Sequence, residues 1–445
     1  MVGGRVRIGA TGRALRHRNF RFFFFGQLIS VTGTWMQSLA LGWLLGTLVG
    51  WDKAVVYIGL LGVVQFMPVM VLGLFGGIIA DIWPKRRTVI ATQTIAGILA
   101  LTLGGLDFFG VIAIWQIFLL AFLLGLVNAV DMPARQSFVV EMVGRDDIAN
   151  AVALNSAVFN GARIVGPAVA GLLIGVVGTA MCFTLNGLSY AAVVIGLLAM
   201  RDSELRPADR LAIPRSLGAV GENLAEGLRY VWHTPLVLVS ITVIGMVSTF
   251  GMNFNVVLPV MAARTLNVGS NGYGVLYAAM GAGALISALA VATLARPRLR
   301  ILVGGGIVLG AAELVLANTT SFPIAAAAVF FSGVGAIATA ASANSLVQIT
   351  VPGPLRGRVM SVYTTVFAGS TPIGNGLTGG FGGLWGTPVA LLMNGGVVLV
   401  AEVAAGIAIL RGKITVGSGG GAPGRHIPTE VLAAPLAGKA APSPE

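Results

Sequence analysis

The sequence predicts an all-α membrane protein with twelve transmembrane helices in two six-helix bundles that repeat one another. Three observations carry that prediction. Apolar stretches long enough to cross a bilayer recur along the chain, and Phe22 to Trp51 and Ala54 to Ala80 hold no charged side chain at all. Of the 28 Lys and Arg residues, 25 fall in alternate gaps between these stretches, two (Lys53 and Arg264) in the other gaps, and one (Arg163) within a span. Such segregation fixes an even number of spans with both termini on the basic, cytoplasmic side. Finally, the segment from Glu141 through Gly166-Pro167 has a counterpart from Thr350 through Thr371-Pro372, each a polar turn leading into a small-residue helix with proline. Their offset of roughly 205 residues suggests parallel repeats around a midplane cavity.

In chain order the expected spans are 20–48, 55–80, 88–106, 110–131, 150–176, 179–200, 236–262, 272–295, 301–318, 323–344, 358–383 and 387–410. Turn chemistry punctuates them at Asp81-Ile-Trp-Pro84, Gly175 to Gly178, Asn318 to Pro323, and Gly382 to Pro388. Residues 1–19 form a basic cytoplasmic arm, 20–200 and 236–410 the two bundles, 201–235 a cytoplasmic linker, and 411–445 a Gly/Ala/Pro/Ser-rich tail expected to be disordered. Within the linker, Leu217, Val220, Leu224, Leu228 and Val231 recur at helical spacing. They predict an amphipathic helix that lies on the membrane surface or packs on neighbouring loops. The first apolar stretch is too long for a signal-peptide core and is expected to remain as the first span.

Composition narrows the function. The 445 residues are 56% hydrophobic and 10% charged, with mean hydropathy +0.90. Soluble domains carry about 25% charged residues. The net charge of +12 sits in short juxtamembrane clusters rather than on one folded face, which favours contact with anionic lipid over nucleic acid. Cys182 is the single cysteine, and His17, His233 and His426 have no metal-ligand spacing. There is no Gly-Lys-Ser/Thr phosphate loop. Enzyme chemistry, a metal site and a cofactor are therefore not expected.

Gly77-Ile-Ile-Ala-Asp81-Ile-Trp-Pro-Lys85-Arg86-Arg87 combines a close-packing glycine, a helix-end aspartate and a basic cluster. It resembles the loop motif between helices 2 and 3 of the major facilitator superfamily, Gly-x-x-x-Asp-Arg-x-Gly-Arg-Arg. Gly77, Asp81, Lys85 and Arg86 match, whereas Ile82 and Pro84 replace a basic residue and a glycine. In span 5, Gly161-Ala-Arg-Ile-Val-Gly166-Pro167-Ala-Val-Ala-Gly171 resembles the Gly-x-x-x-Gly-Pro-x-x-Gly-Gly motif of the superfamily's antiporters. Gly166, Pro167 and Gly171 match, Ala170 stands for a glycine, and the upstream spacing is one residue longer. The stretches Asp131 to Phe138, Asn150 to Ser156, Glu226 to Tyr230 and Leu355 to Ser361 are similar to the branch that contains the enterobactin exporter and macrolide-efflux-type carriers. The resemblance runs from residue 15 to residue 410. It implies the major facilitator fold, a cytoplasmic latch at Gly77, Asp81, Lys85, Arg86 and Arg87, and a hinge at Gly161, Gly166, Pro167 and Gly171. It also implies proton-driven export of a small organic molecule. The basic loop from Arg296 to Arg300 lacks the aspartate, so the latch is expected to be asymmetric.

Ionisable groups inside spans usually mark a pathway or a pair. Asp131 is expected at the end of span 4, paired with Arg135 or the 85–87 cluster and a candidate proton carrier. Arg163 is expected near the midplane, as a contact for a substrate anion or a carboxylate, or as a structural tie. Glu313 and Glu402 are further proton-coupling candidates, although the resemblance places their spans on the outer scaffold. Gln27, Thr34, Gln37, Asn128, Asn155, Asn160, Asn253, Asn255, Tyr363 and Asn375 trace a possible polar cavity; each alone can equally be helix–helix glue. The expected protein is a multi-pass transporter of the cytoplasmic membrane, working as a monomer on a small hydrophobic or amphipathic molecule, with the proton and membrane lipid as partners. An importer or facilitator of the same fold, or a transport-inactive sensor or scaffold, is the alternative.

Overall fold

The computed structural model describes residues 12–206, 217–294 and 298–411, with the side chains of 74–82 and 217–223 outside that description. The first bundle comprises α1 (Arg18–Val49), α2 (Trp51–Ile82), α3 (Lys85–Phe108), α4 (Ile114–Val143), α5 (Ile148–Val177) and α6 (Thr179–Leu198). The linker helix is α7 (Leu217–His233). The second bundle comprises α8 (Pro235–Phe250), α9 (Phe254–Val260), α10 (Gly269–Ala292), α11 (Leu299–Ala317), α12 (Phe322–Thr350), α13 (Gly353–Trp385) and α14 (Thr387–Leu410). Eleven of the described segments, α8 and α9 counted together, are long and apolar enough to span a bilayer. The twelfth, α13, has 33 residues but is diluted by glycine and hydroxyl side chains.

Glycine turns with positive φ end several helices, as at Gly50, Gly178 and Gly386, where a side chain would be strained. Two expected boundaries are corrected. Span 7 is not continuous: α8 stops at Phe250, and Gly251 to Asn253 interrupts the helix before α9, which passes into a π-turn over Met261–Thr265. The Asn253 amide donates to the Thr249 carbonyl at 2.6 Å and so satisfies a carbonyl freed by the break. Span 4 does not end at Asp131; α4 continues to Val143 through Pro133, placing Asp131 about 18 Å before the helix end at 1.5 Å per residue.

Inside the first bundle α1 packs on α5 and α6, α3 on α4 and α6, and α2 on α4; in the second, α12 packs on α10 and α11, and α14 on α11. The bundles meet through two main crossings, α5 on α10 and α2 on α13. Both close on glycine pairs. A methyl on Gly171 would lie 2.9 Å from the Gly274 Cα, and one on Gly59 2.7 Å from the Gly379 Cα. Gly171 and Gly379 follow the prolines of the repeated segment, Pro167 and Pro372, by four and seven residues, so the two halves use corresponding helices at these crossings but not the same register.

The linker helix packs on α13 and α8 rather than on neighbouring loops, and of the described members of the expected stripe only Val231 is buried. Gly227 and Val231 are buried, and a methyl on Gly227 would lie 2.8 Å from the Arg358 carbonyl oxygen. Glu226 pairs with Arg358. Leu224, Leu228 and Trp232 remain 37%, 50% and 74% exposed. Leu217 and Val220 have side chains outside the described residues, as do residues 1–11 of the arm and 412–445 of the tail.

Candidate functional site: a cavity between the bundles

A hydrophobic core shared by both bundles fills one end of the molecule, joining Leu41, Leu45, Val55 and Ile58 to Val257, Met261, Tyr273 and Tyr277. Trp43 stacks on Tyr273 at 5.9 Å and packs on Trp51 at 4.9 Å, and Asp52 pairs with Arg264 across the same seam. Towards the other end, which carries Lys85 to Arg87, each bundle has a separate core. Phe20, Phe23, Phe138 and Val193 belong to one; Val237, Leu346, Val359 and Val362 belong to the other. Glycines in that direction, Gly73 on α2 and Gly161 on α5, meet nothing within 4 Å. The bundles are therefore sealed at one end and parted at the basic end.

Between them lies a cavity of about 650 Å³. That is the size range of sites for drug-sized ligands. Of the expected site residues, Gln27, Thr34, Gln37, Asn128, Asp131, Asn155, Arg163 and Asn255 line it. The others do not. Asn160 donates to the Ser156 carbonyl of its own helix at 2.8 Å. Tyr363 donates to the Ala340 carbonyl at 3.3 Å and stacks on Phe367. Asn253 is held against Thr249, and Asn375 is fully buried in the α2–α13 crossing beside Gly62.

Asp131 lines the cavity and is buried to 1% exposure. Its Oδ1 accepts from Thr92 Oγ1 at 2.7 Å and Gln93 Nε2 at 3.0 Å. Arg135 lies one turn on, 2.8 Å from Oδ2, and donates to Gln27 Oε1 at 2.9 Å. The carboxylate is thus neutralised by its own helix and bonded to α3, while Arg135 ties it to α1. Glu313 and Glu402 sit elsewhere, fully buried between α11 and α14. Glu402 fits into the notch left by Gly306 of α11, and Glu313 lies beside Gly395 of α14.

Arg163 lines the cavity with its guanidinium 5.6 Å above the Trp35 ring, which Phe159 meets edge-on at 5.4 Å. Of the hinge residues, Gly166 packs under α1, where a methyl would lie 2.7 Å from the Thr32 carbonyl oxygen, and Gly171 packs on α10. Gly161 stands open. Pro167 is buried within α5. Gly77 and Asp81 lie in the part of α2 whose side chains are outside the described residues. Lys85 bonds Glu141 at 2.8 Å. Arg86 donates to the Leu197 carbonyl at 2.9 Å and the Leu198 carbonyl at 3.1 Å, capping α6, and also pairs with Asp202. These partners belong to the same bundle or to the segment just after it, in keeping with the parted basic end. Arg87 is exposed.

The sequence reading missed Gln93, Tyr190, Tyr277 and Ser332 as lining residues. Gln93 was findable as a lone amide in an apolar span. Tyr277 follows Tyr273 by one turn, and the two rings meet edge-on at 5.4 Å.

A family profile described as "transmembrane secretion effector" matches residues 10–442. The chain is 28% identical over 330 residues to the multidrug efflux pump Tap of Mycolicibacterium fortuitum, covering 70% of this chain and 77% of that one. It is 24% identical over 392 residues to the enterobactin exporter EntS of Shigella boydii, covering 84% and 87%. It is 23% identical over 273 residues to the staphyloferrin A transporter of Staphylococcus aureus, covering 60% and 66%. The fold resembles a POT-family transporter solved with 5-aminolevulinic acid, at TM-score 0.72 and 13% identity over 88% of this chain and 96% of that one. It also resembles a bacterial homologue of the human lysosomal transporter Spinster in an inward-facing conformation, at TM-score 0.70 and 12% identity over 88% and 98%.

Proposed function

This chain belongs to the transmembrane secretion effector family of the major facilitator superfamily, and from that premise we propose that it is a proton-driven exporter of small hydrophobic or amphipathic molecules. It works by alternating access in the cytoplasmic membrane, with both termini cytoplasmic. The observation that carries the reading is the mostly apolar cavity built by both bundles, sealed at one end and parted at the other. On the orientation set by the basic loops, the parted end faces the cytoplasm, so the conformation is the one that loads cargo for export. The relatives Tap and EntS, named as a multidrug efflux pump and an enterobactin exporter, support the outward direction.

Asp131 is the proton carrier in this reading. It borders the cavity, is held by Thr92, Gln93 and Arg135, and can exchange its ion pair for a proton when the bundles move. Glu313 and Glu402 lie in the α11–α14 scaffold and act there as packing groups. Asp81, Lys85 and Arg86 form the latch that holds the cytoplasmic ends together once they close, and Gly166, Pro167 and Gly171 set the α5 contacts that rock.

The test is retention of a panel of dyes and drugs in an efflux-deficient host. Expression lowers retention of at least one compound, and a protonophore restores it. Retention that stays low after collapse of the gradient removes proton coupling, and raised accumulation removes export.

A further inference from the structure

The charges around the cavity do not balance. Asp131 is matched by Arg135, which leaves Arg163 as a cation with no carboxylate beside it among the described residues. Its Nε is buried and has no hydrogen-bond partner. A lone guanidinium inside a membrane-spanning helix is costly unless something neutralises it. The surroundings favour a flat partner. Trp35 lies under the guanidinium at 5.6 Å and Phe159 stands edge-on to Trp35, while Tyr277 of the second bundle lines the same cavity. The backbone carbonyl of Arg163 also abuts α10, 3.1 Å from where a Gly281 methyl would sit, so the residue stands at the seam of the bundles.

We propose that Arg163 is the anion-binding subsite of the cavity, and that the cargo is a planar aromatic molecule bearing a carboxylate or similar oxyanion. The inference rests on the transport reading above and narrows its substrate class. The guanidinium fork takes a carboxylate with two parallel hydrogen bonds. Trp35 and Phe159 take the adjoining ring. An anion bound there also touches the second bundle through Tyr277, which couples occupancy to the seam between the bundles.

The experiment uses the purified full-length protein in detergent and three isosteric probes: 1-naphthoate, 1-naphthamide and 1-naphthylmethylammonium. Affinity is read by isothermal calorimetry. Wild type should bind the naphthoate about 10- to 100-fold more tightly than the amide, the worth of a charge-assisted hydrogen bond. Arg163→Gln should erase that ratio, Arg163→Lys should keep part of it, and Trp35→Leu should weaken naphthoate and amide alike. Equal affinities, preference for the ammonium, no naphthoate binding at millimolar concentration, or a preference that survives Arg163→Gln overturns the proposal. The wild-type comparison stands even if a variant does not fold. Flux in proteoliposomes separates the two readings: Arg163-dependent binding with no flux of any compound of the panel defeats the transporter reading and leaves the anion subsite, whereas flux of other compounds with no anion preference does the reverse. Bound naphthoate that is not carried while other compounds are overturns its assignment as cargo.

Discussion

Gly171→Ala should loosen the sealed end of the transporter. A methyl at Gly171 would lie 2.8 Å from the Ser270 carbonyl oxygen, 2.9 Å from the Gly274 Cα and 3.2 Å from the Gly274 nitrogen. All three are backbone atoms of α10, so no side chain can swing aside, and the two helices must part by about 0.5–1 Å to reach ordinary contact. Overpacking of this kind costs about 1–3 kcal/mol. The cost falls only on conformations in which α5 and α10 touch here, so it shifts the balance toward the opposite opening by about 5- to 150-fold. The assay places a single reactive cysteine at the cavity-lining Ser38 (Ser38→Cys) in a Cys182→Ser background and labels sealed cells with an impermeant maleimide. Labelling from outside should accelerate at least fivefold, about 1 kcal/mol. Gly161→Ala is the control, because it adds the same methyl to the same helix where nothing lies within 4 Å, and so cancels the gain in helix propensity. Equal labelling of Gly171→Ala and wild type, or an equal shift in Gly161→Ala, would refute the argument.

Asp131→Asn should abolish substrate-dependent proton movement in proteoliposomes and lower unfolding stability by about 1–3 kcal/mol, less than the 3–5 of a sealed pair because Arg135 keeps access to the cavity; intact coupling removes Asp131 from the proton path. The Asp147 carboxyl, bonded by His17 at 2.7 Å and facing Arg13 and Arg16, is held below the usual carboxylate range. A lowered folded value means that the docking of Arg13–Arg16 is fully supported above about pH 4 and is lost as pH falls below it. Anisotropy of a dye on Gly12→Cys should therefore hold from neutral pH down to about 4 and then drop, and should be low throughout in Asp147→Asn; a flat profile in both defeats the pairing. Trp232→Phe should remove a fluorescence component quenched by lipids brominated near the headgroup, since Trp232 continues the exposed Leu224–Leu228 stripe; unchanged quenching means that this face does not meet the membrane.

The contrast between Arg163 and Asn375 shows how far the site was legible. Charge in an apolar span is costly enough to stand out in one dimension, so Arg163 could be singled out before any fold was known, and it lines the cavity. An amide carries no charge, so it stands out less than a guanidinium, whether it bonds its own helix or is buried in a crossing. Asn160 does the first and Asn375 the second, and no spacing rule distinguishes them from Asn128 and Asn155, which do face the cavity. Glu226-Gly227 and Arg358 belong to two separate motif stretches in the sequence; only folding shows that they touch.

What the chain determines by itself is its threading: where it is apolar, where it turns, and which gaps carry Lys and Arg. Those follow from transfer free energies that each segment meets alone in the bilayer. The interruption of α8 at Gly251 to Asn253, the continuation of α4 past Asp131, and the sealing of one end by Trp43 and Tyr273 were decided by tertiary structure. Each depends on a neighbour supplied from a distant part of the chain. In lipid, where apolar faces gain nothing by avoiding the solvent, close packing and the matching of polar groups choose which face turns inward.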